Sequence, residues 1–196
     1  VSKPLRIGLT GGIACGKSVV AAYLKERYHV PVVDADQLAR EAVAIGTPAY
    51  DAVVERYGAE ICRGDGQLDR PRLGHIIFAD PQERYWLEGQ IHPWVVEQMQ
   101  QAIQTCHHPQ ILLVIPLLFE AHLECLVDQI WVVAVDTATQ LARLQQRDGL
   151  STEAAQQRLA AQLPLATKIT QADHVIWNTG TLAELYAQVD RLWKQT

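Results

Sequence analysis

The run Gly11-Gly12-Ile13-Ala14-Cys15-Gly16-Lys17-Ser18 constrains this chain more than any other stretch. It fits G-x-x-x-x-G-K-[ST], a pattern whose backbone cradles phosphate groups. Its flanks agree with that reading. Residues 5–10 form an apolar run suited to a short buried strand, and residues 19–25 suit the helix that follows. Gly11, Gly12 and Gly16 let the backbone take conformations that a side chain blocks. The N–H groups of the loop and of the opening helix turn then converge on phosphate oxygens. Lys17 is expected to reach the β- and γ-phosphates, and the Ser18 hydroxyl to bind Mg²⁺. A chance match in a Gly-rich turn accounts for the pattern but not for the strand before it and the helix after it.

Further strands are expected at residues 30–33, 110–115, 129–135 and 174–177. The run at 110–115 is continuously apolar, as a strand buried on both faces requires. Helices fill the intervals, at 37–44, 50–57, from the Asp69-Arg70-Pro71 signal onward, 82–105, 137–147, 151–162, 164–171 and 181–194. Leu38, Ala42 and Ile45 are expected on one face, and Pro93 is expected to kink or break its helix at His92. Arg63-Gly64-Asp65-Gly66-Gln67 reads as a tight hairpin-like turn. Strands alternating with helices predict an α/β domain with a parallel sheet. The block at 46–108 shows no evident strand and reads as a helical insertion.

Composition narrows the class. The chain has 196 residues, enough for one substantial domain, with 48% hydrophobic and 20% charged residues. A net charge of −5 argues against a general nucleic-acid binder. Cys15, Cys62, Cys106 and Cys125 are scattered, with no C-x-x-C pair, which suits reduced thiols in the cytoplasm. The apolar run at 111–119 is too short to span a bilayer, and the sequence shows no signal peptide.

Chemistry concentrates at strand ends, where open parallel sheets bind ligands. Asp34 and Asp36 follow the second strand. One can meet an acceptor hydroxyl while the other supports Mg²⁺ or the loop, although capping a helix explains one of them. Glu120 lies just past the third strand, where a pocket role is expected. Asp136 can act as an acid beside a metal or as the N-cap of the helix from Thr137, and the cap is the expected role. Arg143 and Arg147, four apart, share a helix face. They suit an arginine-bearing lid over a transferring phosphoryl group, or a solvated face with ion pairs, which spacing alone favours. His92 is a packed histidine at a kink or a ligand contact. No D-x-x-G or N-K-x-D occurs, which argues against a GTPase switch.

Taken in order, the motifs resemble the dephospho-CoA kinase family. They are Leu9-Thr10-Gly11-Gly12-Ile13 leading into Gly16-Lys17-Ser18, Val33-Asp34-Ala35-Asp36 with Ala39-Arg40, Ile91-His92-Pro93, and Pro116-Leu117-Leu118-Phe119-Glu120. Gln146-Arg147, Ala161-Gln162 and Ala172-Asp173-His174-Val175-Ile176 with Asn178 and Gly180 complete the set. The resemblance implies ATP-dependent phosphorylation of the ribose 3′-hydroxyl of dephospho-CoA. It implies a fold like that of nucleoside monophosphate kinases: a three-layer α/β/α core with a five-stranded parallel sheet at 1–45, 109–136 and 172–196. A helical CoA subdomain at about 46–108 and a lid at about 137–171 complete it.

By position, the resemblance makes Asp36 the acceptor-orienting carboxylate. Lys17 and Arg147 stabilise the transferring group, and Gly12 to Val19 bind ATP together with Arg143. Asn178 and Gly180 lie near the adenine, and Asp34, His92 and Glu120 on the dephospho-CoA side. A monomer in the cytoplasm, with no nucleic-acid or membrane partner, is expected. Two positions depart from the family pattern, which often has Gly at Ala14 and Thr at Val19. Ala14 is accommodated if its φ is negative, and Val19 leaves only a backbone N–H for the α-phosphate. Cys15 sits where N–H groups gather, an environment that lowers a thiol pKa. Oxidation there would block ATP, whereas the plainer reading is a small residue that fits the loop. Another small-molecule kinase of this fold, or an ATP-binding module without turnover, is the alternative.

Overall fold

The computed structural model describes residues 3–196. They fall into two compact units, one joining the chain up to Asp34 to Ile103–Thr196, the other formed by Ala35–Ala102.

The first unit is built on five parallel strands: β1 (Leu5–Gly11), β2 (Val32–Asp34), β3 (Gln110–Val114), β4 (Gln129–Ala134) and β5 (His174–Trp177). Their order is β2-β3-β1-β4-β5. Leu9 pairs with both Val114 and Trp131, and Gly11 pairs with Val133, so the strand ends lie along one edge. Ile7 and Leu9 on one face pack with Val20 and Leu24 of α1 (Lys17–Tyr28) and Leu185 and Val189 of α9 (Leu182–Trp193). The opposite face is also covered, since Thr10, Leu113 and Val132 are fully buried. That double burial is why the strands read as continuous apolar runs. The Tyr23 and Tyr28 hydroxyls donate to Asp190 Oδ1 at 2.7 and 2.8 Å, tying α1 to α9.

Helix starts follow the capping chemistry visible in the sequence. Asp136 accepts from Thr139 N at 2.8 Å and opens α6 (Thr137–Asp148), so the cap reading holds. Ser151 caps α7 (Thr152–Ala160), and Thr181 with Glu184 forms a capping box on α9. The short α8 (Leu165–Thr170) lies against β4.

The second unit is helical: α2 (Ala35–Glu41), α3 (Pro48–Tyr57), α4 (Arg70–Ala79) and most of α5 (Pro81–Thr105). Val53, Ile61, Leu73 and Leu87 form its core. The predicted turn at 63–67 is closed by Arg63 N donating to Gln67 O at 2.7 Å, beside a single Cys62–Leu68 antiparallel bridge. Two expectations are corrected here. First, of the kink or break expected at Pro93, the break does not occur, since α5 runs through it. The ring removes the N–H that would reach Gly89, but Gly89 and Pro93 are both exposed, so water can serve the freed carbonyl. Second, α2 ends at Glu41, and Ile45 in the following turns is 59% exposed rather than packed with Leu38 and Ala42.

Candidate active site

The phosphate loop joins β1 to α1. Gly11 has φ +144 and Gly16 φ +95, conformations that L side chains rarely adopt. Gly16 is the N-cap of α1, so the first N–H groups of the helix open onto the loop. The Lys17 ammonium is folded back over the loop, donating to Gly11 O at 3.2 Å and Gly12 O at 2.9 Å. Ser18, in the first turn, is exposed, and Val19 is half-buried.

The structure bears on two open points about the loop. Ala14 has φ +59, in the left-handed region, not a negative φ. An alanine there carries a steric cost of about 1–2 kcal/mol. Replacing Ala14 with Gly is therefore expected to stabilise the protein by about 0.5–1 kcal/mol, part of the gain returning through the freer unfolded chain. Thermal unfolding should show Tm higher by roughly 2–4 °C. A Tm at or below wild type would show the alanine to be unstrained. Second, the Cys15 side chain is fully buried. Burial pushes its thiol above the ordinary value, against the opposing pull of the Lys17 charge and of backbone hydrogen bonds at Gly12 and Val135. A buried, protonated thiol is a poor target for oxidation, so Cys15 is a small residue filling the loop.

The loop is held from outside by three side-chain amides. Asn178, just past β5 and buried, donates from Nδ2 to Cys15 O at 2.9 Å. A Cβ on Gly16 would lie 2.3 Å from that Nδ2. Gln140 on α6 donates from Nε2 to Ile13 O at 2.9 Å, and a Cβ on Gly12 would lie 2.3 Å from it. Gln162 Oε1 accepts from Ile13 N at 2.9 Å. A cleft of about 670 Å³ beside Gly12 is lined by both glutamines with Leu159 and Leu163. Gly180 precedes the Thr181 cap, where the Glu184 carboxylate occupies the space a Cβ would need. Asn178 and Gln162 belong to motifs quoted above. Gln140 carried no sequence signal, because an amide on an amphipathic helix looks like any solvated polar residue.

The arginines are engaged with protein groups. Arg143 donates from Nη2 to Asn178 O at 3.1 Å. Arg147 is 58% exposed and pairs with Asp148 at 2.7 Å, and Arg158 pairs with the same carboxylate at 2.7 Å. Arg147 and Arg158 thus lie on an ion-paired face, while half-buried Arg143 turns to a backbone carbonyl.

Glu120 lies past β3 in a polar network. Its Oε1 accepts from Lys168 Nζ at 2.8 Å and from Leu163 N at 2.9 Å. Lys168 is fully buried and also donates to Pro116 O at 3.0 Å. Burial works to raise the Glu120 carboxyl, but its bonds to Lys168 and Leu163 outweigh it and hold the pKa below the ordinary value. Among the described residues, no group hydrogen-bonds the buried Glu120 Oε2. Asp34 closes β2 and is half-buried, Asp36 is exposed in the first turn of α2, and His92 is exposed on α5. Among the described residues, no three His, Cys, Asp or Glu side chains gather as a metal cage. A hard cation held by one hydroxyl and substrate phosphates needs no such cage.

Comparisons with known proteins bear on the family and the fold. A family described as dephospho-CoA kinase matches residues 5–184. A dephospho-CoA kinase of Thermosynechococcus vestitus is 68% identical over 191 residues, covering 97% of this chain and 94% of the relative. Among solved structures, a Thermus thermophilus protein superposes with a TM-score of 0.83 at 34% identity, covering 99% of this chain and 98% of that one. The dephospho-CoA kinase of Campylobacter jejuni, at 24% identity, shares the fold with a TM-score of 0.70, covering 99% and 98%.

Proposed function

The chain belongs to the dephospho-CoA kinase family, and on that premise we propose that it moves the γ-phosphoryl group of ATP onto the ribose 3′-hydroxyl of dephospho-CoA. It is a phosphotransferase with ATP as donor. The 3′-oxygen attacks the γ-phosphorus, the bond to the β–γ bridging oxygen breaks, and CoA and ADP result.

The residue roles follow from what each group can do. Loop N–H groups between Gly12 and Val19 bind the phosphates, apart from that of Ile13, which Gln162 Oε1 takes, and Val19 contributes its backbone alone. Lys17, which rests on two loop carbonyls, has a short path from them to the β- and γ-phosphates. Arg147 stabilises the transferring group once it exchanges the Asp148 carboxylate for phosphoryl oxygens, a bidentate partner of similar shape. Mg²⁺ would neutralise phosphate charge, held by the exposed Ser18 hydroxyl and phosphate oxygens. Asp36 orients the 3′-hydroxyl and accepts its proton. Arg143, Asn178 and Gly180 serve the nucleotide end. Asp34, His92 and Glu120 serve dephospho-CoA, and the unpartnered Glu120 Oε2 supports that role.

The helical segment at about 46–108 would present dephospho-CoA, and the segment at about 137–171 would act as the lid. A monomer working in the cytoplasm suits this reading. Among the described residues, no helix is long and apolar enough to cross a membrane.

The observation that carries the proposal is the loop itself: two positive-φ glycines, a lysine on the loop carbonyls and an exposed serine at a helix N-terminus. The test is incubation of ATP with dephospho-CoA, AMP or shikimate, following ADP and locating the new phosphate. ADP with dephospho-CoA alone, and phosphate on the 3′-oxygen, is the expected result. No ADP with dephospho-CoA would sink the proposal, and preference for AMP or shikimate would move the chain to another kinase of this fold.

A further inference from the structure

Ile13 is gripped at both of its flanking peptide groups. Its N–H donates to Gln162 Oε1 and its carbonyl accepts from Gln140 Nε2, each at 2.9 Å. Both amides come from the segment expected to act as the lid. Because a backbone N–H can only donate, the orientation of the Gln162 amide is fixed by this contact. The peptide that Gln140 holds adjoins Ala14, the residue held at φ +59, so the grip borders the strained residue of the loop.

Gln162 is itself braced. The next residue, Leu163, donates its N–H to Glu120 Oε1, which also takes the ammonium of the fully buried Lys168. Lys168 Nζ bonds Pro116 O, and the Thr10 hydroxyl donates to the same carbonyl at 3.2 Å. Thr10 lies in β1, one residue before the loop. A ring of hydrogen bonds thus leaves the sheet at Thr10, passes through Pro116, Lys168, Glu120 and the chain at 162–163, and returns to the loop at Ile13. A lysine with no exposed surface is costly to bury unless fully partnered, so this ring has one good arrangement rather than many.

We propose that Gln162 is a positioning residue for the phosphate loop, with Lys168 and Glu120 setting its place. By holding the Ile13 N–H it fixes the Gly12–Ile13 peptide, next to the Ile13–Ala14 peptide that Gln140 holds, and leaves the following N–H groups for phosphate. ATP affinity then depends on where the segment bearing Gln162 stands, and by linkage ATP favours that same position of the segment. This inference rests on the reading of the loop as the ATP site.

The test uses the full chain carrying Gln162→Met, which keeps the length of the side chain and removes the acceptor. Calorimetric titration with ATP alone should show Kd raised about tenfold, the loss of one hydrogen bond's contribution. The KM for ATP should rise with it, while kcat and the KM for dephospho-CoA stay unchanged. Lys168→Met should weaken ATP in the same direction, and adding it to Gln162→Met should cost less than the two changes separately. If Lys168→Met does not fold, Gln162→Met alone decides. Unchanged or tighter ATP binding in Gln162→Met overturns the proposal, as does an equal rise in both KM values. Absence of dephospho-CoA-dependent ADP in the wild type defeats the assigned reaction instead, and the ATP titrations still decide the role of Gln162.

Discussion

Asp36→Asn is expected to bind ATP as the wild type does and to lose about 10²–10³ in turnover. Asparagine has the same shape and can still accept a hydrogen bond from the 3′-hydroxyl. What it cannot do is take the proton. A carboxylate with a pKa near 4 is a poor base toward an alcohol, so early deprotonation is not its contribution. In a loose phosphoryl-transfer transition state the attacking oxygen carries little charge until late. The carboxylate orients the hydroxyl and receives the proton as the new bond closes. Asp36 is exposed in the first turn of α2, and asparagine keeps its shape there. Stability and ATP affinity therefore serve as controls beside the ADP assay. Normal turnover in Asp36→Asn would remove Asp36 from the mechanism.

The strands were legible because a sheet covered on both faces leaves no polar alternation to confuse them, as at 110–114. Helix starts at Asp69, Asp136, Ser151 and Thr181 were legible because each places an oxygen where an orphan N–H needs one. The strand order β2-β3-β1-β4-β5 was not, since every strand is apolar and parallel and the choice of neighbour rests on packing. Pro93 does not end α5, since on its exposed face water can reach the Gly89 carbonyl that the missing N–H leaves free.

The loop motif fixed residue types but not their environment. A pattern places Cys15 among N–H groups that lower a thiol pKa, yet burial decides the direction, and burial depends on β4 and β5. The braces of the loop escaped for the same reason. Gln140 and Gln162 act on Ile13, more than 100 positions away in the chain, and Lys168 acts on Pro116, 52 positions away; no local spacing encodes such contacts. The arginine pair shows the opposite case. Spacing alone allowed an ion-paired face, and Arg147 has one, with Asp148 defining what it must give up to reach a phosphoryl group.

Gly11→Ala, three residues from the stabilising Ala14→Gly, is expected to be the most damaging single change in the loop. A Cβ at Gly11 would lie 2.3 Å from Val133 O and 3.1 Å from Val133 N. Both are backbone atoms of β4 paired with Gly11 in the sheet, so no side-chain rotation relieves the contact. Val133 is fully buried, and moving it would open the sheet beside its central strand. The backbone angle of φ +144 adds strain that an L side chain brings wherever it points. Overpacking of this kind costs about 1–3 kcal/mol and the strained backbone a similar amount. Against a typical stability of about 5–15 kcal/mol, the loss is large. Thermal unfolding should show Tm lower by roughly 5–20 °C, with ATP binding weakened because the loop can no longer leave the sheet at its present angle. A Tm within about 1 °C of wild type would mean that the strand ends before Gly11 and that the loop does not press on β4.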